Sequence, residues 1–441
     1  MSVDKNRAWQ ALTDLSFDRV TGTEGEAKAA EYLKKACEEM GVEASIETYE
    51  VDTAQIHTAR LVTAGGKEYT VYGVAHTGST PPEGITAPLK YIMDGKIEAD
   101  LQDVKGKIVL VSGAMPKLLK DLKKKGAVGF ILTHGGFYDD EIIAKGPRIR
   151  SMPEPAKLDF PGVSVHMRDA RELVCNHQGE NVTITLEETP GKLTARNVVA
   201  VIPGTTIPEE EVVLSAHFDT VIYAKGSWDN GSGSVTLLEA LHHFTQNPPA
   251  RTVRLLWCGS EEIGLVGSRK YCETHKDDMD KIIYNINIDM LGAPMSRVLF
   301  CASANETVLH YLQAYANIKG FSVKSELGMY ASDSSSFAGA GVPAASFGQD
   351  MPRGGAEIHN YRDNLDEVDP QYLIDQIAFV IDYAETIINA KVNPVPRSFA
   401  SKVTEMMEQR KKMMAEMQGT SGEEKKDEKK EEAKEAKPES K

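Results

Sequence analysis

Cysteine is scarce and unpatterned in this chain. Cys37, Cys175, Cys258, Cys272 and Cys301 are scattered, odd in number and never in C-x-x-C spacing. This argues against a disulfide framework or a cysteine-rich zinc site and leaves buried, reduced thiols as the reading. Net positive charge is also lacking. The formal charge of −15 at pH 7 argues against nucleic acid or an anionic membrane as the main partner. No apolar run is long enough to span a bilayer. The opening MSVDKNRAWQALTDL has neither the apolar core nor the small-residue cleavage site of a signal peptide. The expectation is a cytoplasmic, soluble protein.

What the chain has is length, 441 residues, enough for two domains and a tail. Helical spacing marks 7–15 and 26–40, with Gly41 as a stop, and 42–51 reads as a strand. Short β-like runs with turns between them follow from 53 to 188. The texture of an α/β domain resumes with strands near 194–203, 212–216, 252–257, 281–291, 298–301 and 344–347. Helices near 235–245, 267–273, 306–317 and 370–389 alternate with them. That pattern predicts a mixed, mostly parallel sheet flanked by helices. The predicted division is 1–52 with 189–392 as a discontinuous catalytic domain, 53–188 as a mainly-β insert, 393–420 as an amphipathic helix and 421–441 as a disordered Lys/Glu tail. The insert and the C-terminal helix are the surfaces expected to meet a second copy of the chain.

Chemistry gathers at the predicted strand ends. His217 and Asp219 close an apolar run, where open α/β sheets bind ligands. Residues i and i+2 of a strand point the same way, so His217 can face a metal while Asp219 accepts its other N–H. Asp229 sits in S-W-D-N-G-S-G, a small-residue loop ahead of a helix. The acidic pair Glu261-Glu262 follows the strand ending at Trp257. Asp289 is read as lying inside an apolar strand, where a charge is costly unless paired or metal-bound. His359 stands in E-I-H-N-Y-R-D. Each piece has a bland alternative: a chance His-x-Asp, a good D-N-G turn, a solvated acidic pair. Two histidines with three carboxylates near strand ends form a donor set that suits two zinc ions.

These runs, L-S-A-H-F-D-T, W-D-N-G-S-G, E-E-I-G-L-V-G-S, N-I-D-M-L-G and I-H-N-Y-R-D-N-L-D, resemble, in that order, the M28 family of zinc aminopeptidases. V-K-G-K-I-V-L-V, G-A-V-G-F-I-L and P-G-V-S-V resemble the protease-associated (PA) domain, here inserted before His217. The resemblance implies a zinc-exopeptidase, phosphorylase/hydrolase-like fold and a peptide substrate. It implies His217 and Asp289 on one zinc, Glu262 and His359 on the other, Asp229 bridging and Asp219 orienting His217. Glu261 would activate a water between the metals. The family's tyrosine before the last histidine is replaced by Ile358, and Tyr330 or Tyr361 is the substitute considered. The family's S-D-H-x-x-F reads S-D-S-S-S-F at 332–337.

Alternatives from other classes stand beside this reading. Arg353 and Arg362 could grip a substrate carboxylate, which would suit a carboxypeptidase or dipeptidase. Glutaminyl cyclisation on a similar fold is a further enzymatic alternative. A receptor-like scaffold without activity would show degraded ligands, and all five candidate ligands and Glu261 are intact.

Overall fold

The computed structural model describes residues 3–112, 116–146, 150–151 and 158–417. The Lys/Glu tail expected from residue 421 lies outside the described residues, as do the side chains of Met413 and Met417. Two compact units emerge. One comprises the described residues up to Val51 together with Leu193–Glu408; the other is centred on Asp52–Lys192.

In the first unit, α1 (Lys5–Leu15) begins at Asp4, whose carboxylate accepts the N–H groups of Asn6 and Arg7, a standard way to satisfy a helix start. It buries Ala8, Leu12 and Leu15. Thr23 caps α2 (Glu24–Glu39), which buries Ala29, Ala30, Leu33 and Cys37 at helical spacing. Two long strands, β1 (Ala44–Thr63) and β2 (Asn181–Ile202), carry the chain out of this unit and back. Next come β3 (Ile207–His217), α3 (Ser232–Gln246), β4 (Arg251–Cys258), α4 (Val266–Thr274) and β5 (Ile282–Ile288). β6 (Arg297–Ser303), α5 (Glu306–Lys319), β7 (Val323–Leu327), α6 (Ser334–Gly339), β8 (Ala344–Asp350) and α7 (Pro370–Ile388) complete it, and α8 (Ser401–Met417) begins in it.

The strand order is β7-β6-β8-β5-β3-β4-β2. β4, β3, β5 and β8 form a parallel core, while β2 and β6 run against it. β5 is buried throughout and the last seven residues of β3 are buried, as strands covered by helices on both faces must be. The fold is thus a mixed α/β sheet flanked by helices, as the pattern predicts. Because the four central strands are parallel, their carboxyl ends share one edge.

Two local expectations need correction, and two short elements were not foreseen. Asp289 lies just past β5 rather than inside it. The strand expected at 42–51 runs on to Thr63, because polar residues such as Asp52 fall on its exposed positions. β7 and α6 carry too few apolar residues to show a period.

In the second unit, strand 85–92 pairs antiparallel with the start of β2 at 181–184. Strands 85–92, 108–111, 129–134 and 162–166 pair in parallel, and 71–75 pairs antiparallel with 162–166. Helices 116–124 and 167–177 accompany it. No helix among the described residues is long and apolar enough to cross a membrane.

Candidate metal centre

His217 ends β3, held by ladders to β4 on one side and β5 on the other. Its Nε2 lies 3.1 Å from Asp229 Oδ1 and 3.5 Å from Asp289 Oδ1. Its Nδ1 is 3.2 Å from the carbonyl oxygen of Asp219 and 3.7 Å from that residue's carboxylate. The carbonyl, not the carboxylate, therefore stands where the imidazole's second hydrogen bond is made. Strand alternation ends at His217, so the i, i+2 argument does not carry to Asp219. That carboxylate works elsewhere. Oδ1 accepts the N–H of Glu261 at 3.0 Å, and Oδ2 accepts the N–H of Glu262 at 3.3 Å and the Thr21 hydroxyl at 3.2 Å. Asp219 fixes the turn that presents the acidic pair.

Asp229 belongs to a tight segment, Ser227–Gly231, running into α3, and its peptide bond to Asn230 is cis. The N–H groups of Trp228 and Asp229 donate to Asp363 Oδ1 and Oδ2 at 2.8 and 3.1 Å. Asn230 donates to Ile288 O at 2.9 Å, and its Oδ1 accepts from Gly233 and Met290 at 2.9 and 3.1 Å. The Asp229 turn is thereby stitched to the Asp289 turn. Only glycine fits at 233: a Cβ there would lie 2.4 Å from Asn230 Oδ1 and 2.5 Å from Ile288 O.

Asp229 Oδ1 faces His217, and Oδ2 lies 3.2 Å from His359 Nε2, which is also 3.2 Å from Glu262 Oε2. The result is two donor groups, His217/Asp229/Asp289 and Asp229/Glu262/His359, each with ligand atoms within 4.8 Å of one another. They are the groups of this kind found among the described residues. Four members are sealed, with side chains 1–7% exposed, while His359 is 50% exposed. Approach is therefore from the His359 side. Ser260, Met290 and His359, each in or next to the site, adopt left-handed φ of 57°, 73° and 62°, a cost that functional sites commonly carry.

A cation fits this arrangement. Asp289 Oδ1 is buried and makes no hydrogen bond, and crowded buried carboxylates are costly without positive charge. The buried carboxylates and imidazoles shift one another's titration. Burial, then Asp289, Asp333 and Glu262, push the Glu261 carboxyl well up. Burial and Asp229 push Glu262 up to about 7. Hydrogen bonds to Asp229 and Glu262 push His359 up to about 10. Burial alone would lower His217, but Glu261 and the hydrogen bonds to carboxylates override it and raise the imidazole. Burial would raise Asp229, yet hydrogen bonds from His217 and His359 prevail and hold it down. Imidazole and carboxylate donors in this number suit zinc.

The expected substrate contacts are less uniform. Tyr330 is near the cluster: a Cβ on Gly348 would lie 2.7 Å from its hydroxyl and 3.2 Å from Asp289 O. Tyr361 packs its ring 6.3 Å from that of Tyr223. Arg353 is exposed, with no ion pair among the described residues, whereas Arg362 is tied to Glu357 at 2.6 Å. Asp363 and Asn230 are functional residues that sequence reasoning passed over. Both stood inside quoted motifs, but nothing local marks them as clamps.

A family model described as peptidase family M28 matches residues 197–384. Aminopeptidase YwaD of Bacillus subtilis is 23% identical over 69% of this chain, and the match spans 64% of that protein, a little under two thirds of its length. Carboxypeptidase Q of Xenopus laevis is 24% identical over 84% of this chain and 83% of its own. Among solved structures, a zinc aminopeptidase from Bacillus subtilis superposes with a TM-score of 0.73 at 22% identity, covering 91% of this chain and 99% of that one. The fold is that of these structures, and the match to peptidase family M28 takes in His217, Asp229, Glu262, Asp289 and His359.

Proposed function

We propose that the protein is a two-zinc exopeptidase that removes N-terminal residues from peptides. One observation carries the reading: Asp229 places one carboxylate oxygen in each of two histidine-carboxylate groups. In this reading His217 and Asp289 hold one zinc, Glu262 and His359 the other, and Asp229 both. When bound, zinc makes water a nucleophile near neutral pH and polarises the scissile carbonyl. Glu261 is left outside both donor groups, with its backbone N–H held by Asp219. It takes the proton of the attacking water and later delivers it to the leaving amine. Tyr330, beside Asp289, suits a hydrogen bond to the carbonyl oxygen as charge builds there. The exposed face of His359, with Tyr361 two residues on, is the side from which a peptide enters. Unit 52–192 is read as a PA-like insert, supported by its three motif runs.

A carboxypeptidase or dipeptidase activity is the second reading. The likeness to Carboxypeptidase Q over most of both chains favours it, and so does the exposed Arg353, without an ion pair among the described residues, which suits a substrate carboxylate.

The test is hydrolysis of aminoacyl chromogenic amides beside N-blocked peptides with a free carboxylate. Turnover of the amides alone, lost with chelator and restored by zinc, is expected. Turnover of the blocked peptides alone would replace the aminopeptidase by the second reading, and turnover indifferent to chelator would remove the metal from both.

A further inference from the structure

Residues 16–21 lie between α1 and α2 and contribute none of the donor residues, yet they hold both loops that do. Arg19 is at the centre. Its side chain is completely buried, and its guanidinium ends entirely on backbone carbonyls. Nε donates to Phe218 O at 2.5 Å and Nη2 to Gly226 O at 2.8 Å. Nη1 donates to Lys225 O at 2.8 Å, to Phe17 O at 3.0 Å and to Leu15 O. Phe218 lies between His217 and Asp219. Lys225 and Gly226 stand directly ahead of the turn that presents Asp229. One planar cation thus spans the two loops whose side chains meet at His217 and Asp229.

The flanking contacts repeat the pattern. Arg19 N donates to Thr220 Oγ1 at 3.0 Å, the Thr21 hydroxyl to Asp219 Oδ2 at 3.2 Å, and the Ser16 and Ser227 hydroxyls are 2.6 Å apart. Gly226 has φ +56°, and a Cβ there would lie 2.2 Å from Thr220 Cγ2 and 3.0 Å from Arg19 Nη2, so the loop closes tightly on the guanidinium.

A neutral side chain could tie loops together, so the buried charge calls for a reason. Burying a cation is costly unless it is compensated. Arg19 makes no ion pair among the described residues. Burial lowers its pKa to about 10, against support from Asp363, Asp219 and Asp229, so it stays cationic at neutral pH. It offsets the charge of those carboxylates while leaving their oxygens free for metal or backbone N–H groups. The rigid fork of a guanidinium also fixes geometry in a way an ammonium does not.

We propose that the 16–21 segment, through Arg19, positions the metal centre: it sets the spacing of the His217–Asp219 loop from the Asp229 turn, and with it the affinity for zinc. The proposal rests on the two-zinc reading. The experiment compares the full chain with its Arg19→Lys and Thr21→Val variants. Zinc affinity is read by competition with a chromophoric chelator, and the melting temperature of the metal-free protein is read beside it. Arg19→Lys should weaken zinc binding by roughly 10–100-fold, the range seen when residues that orient metal ligands are changed. Thr21→Val should weaken it less. Hydrolysis by Arg19→Lys, with zinc in excess, should lose kcat more than it changes KM. A variant that melts earlier yet binds zinc like the unaltered chain would assign the segment a structural role alone and overturn the proposal. Should Arg19→Lys fail to fold, unchanged zinc affinity in Thr21→Val overturns it equally. If the unaltered chain takes up no zinc, the two-zinc reading itself falls, an outcome distinct from failure confined to the variants.

Discussion

Asp363→Asn probes the support of Asp229, the carboxylate proposed to serve both metals. Asp363 is fully buried, and its two oxygens accept the N–H groups of Trp228 and Asp229 at 2.8 and 3.1 Å. Asparagine keeps one acceptor and places an amide NH2 where the other oxygen stood, so a donor then faces a donor. Losing a hydrogen bond to a charged acceptor costs about 1.5–3 kcal/mol. At 1.4 kcal/mol per factor of ten, that is roughly 10–100-fold in zinc affinity if the loss falls on the metal-ready turn. A second effect opposes it in the metal-free protein. Burial and then Asp229 push the Asp363 carboxyl up to about 7 from 3.8. With the folded value raised, the ionised group costs the metal-free fold stability as pH rises through that window, and asparagine removes the cost. The expected result at pH 8 is a large fall in zinc affinity with a much smaller change in metal-free stability. Chelator competition and denaturant titration read the two quantities. Zinc affinity within twofold of the unaltered protein would refute the clamp.

Two further outcomes follow from the site. Glu261→Gln should cut kcat by about 10²–10⁴-fold while zinc stoichiometry, read by atomic absorption, stays unaltered; loss of zinc would instead make Glu261 a ligand. Metal uptake should also release protons. Glu262 moves from 4.5 to about 7 and His359 from 6.5 to about 10, so between those values the folded, metal-free protein holds more protons than the unfolded chain. Its stability should therefore fall as pH rises from about 5 through 10, and zinc should flatten that slope. Calorimetry in buffers of different ionisation enthalpy measures the protons; none released at pH 7 would contradict the shifts.

The fold class was legible because the parallel core is written in local composition. V-V-L-S-A, L-L-W-C and I-I-Y-N-I-N-I are apolar runs too short for helices, and each is followed within three residues by a polar or acidic residue where its strand ends. β7 (V-K-S-E-L) and α6 (S-S-S-F-A-G) were not legible, since an edge strand and a one-turn helix bury too few side chains to show a period. The length of β1 was hidden for a similar reason. Its exposed positions carry Glu, Asp and Gln, which read as loop until burial on the other face is known.

The donor residues and the residues that hold them differ in the same way. His217, Glu262 and Asp289 sit at or just beyond strand ends, so strand position alone suggested that they converge. What orients them joins distant segments: Asp219 reaches Glu261, Asp363 reaches Trp228, Asn230 reaches Ile288 and Arg19 reaches Phe218, the last pair 199 residues apart. No spacing rule connects such positions, because the contact exists only once the sheet has brought four loops to one edge. Asp219 shows the limit best. Its sequence neighbourhood ties it to His217, yet its carboxylate oxygens serve the backbone of Glu261 and Glu262, 42 and 43 residues on. A substitution at Asp219 should therefore disturb the proposed base and one proposed ligand together through their shared turn, rather than acting through the tautomer of His217.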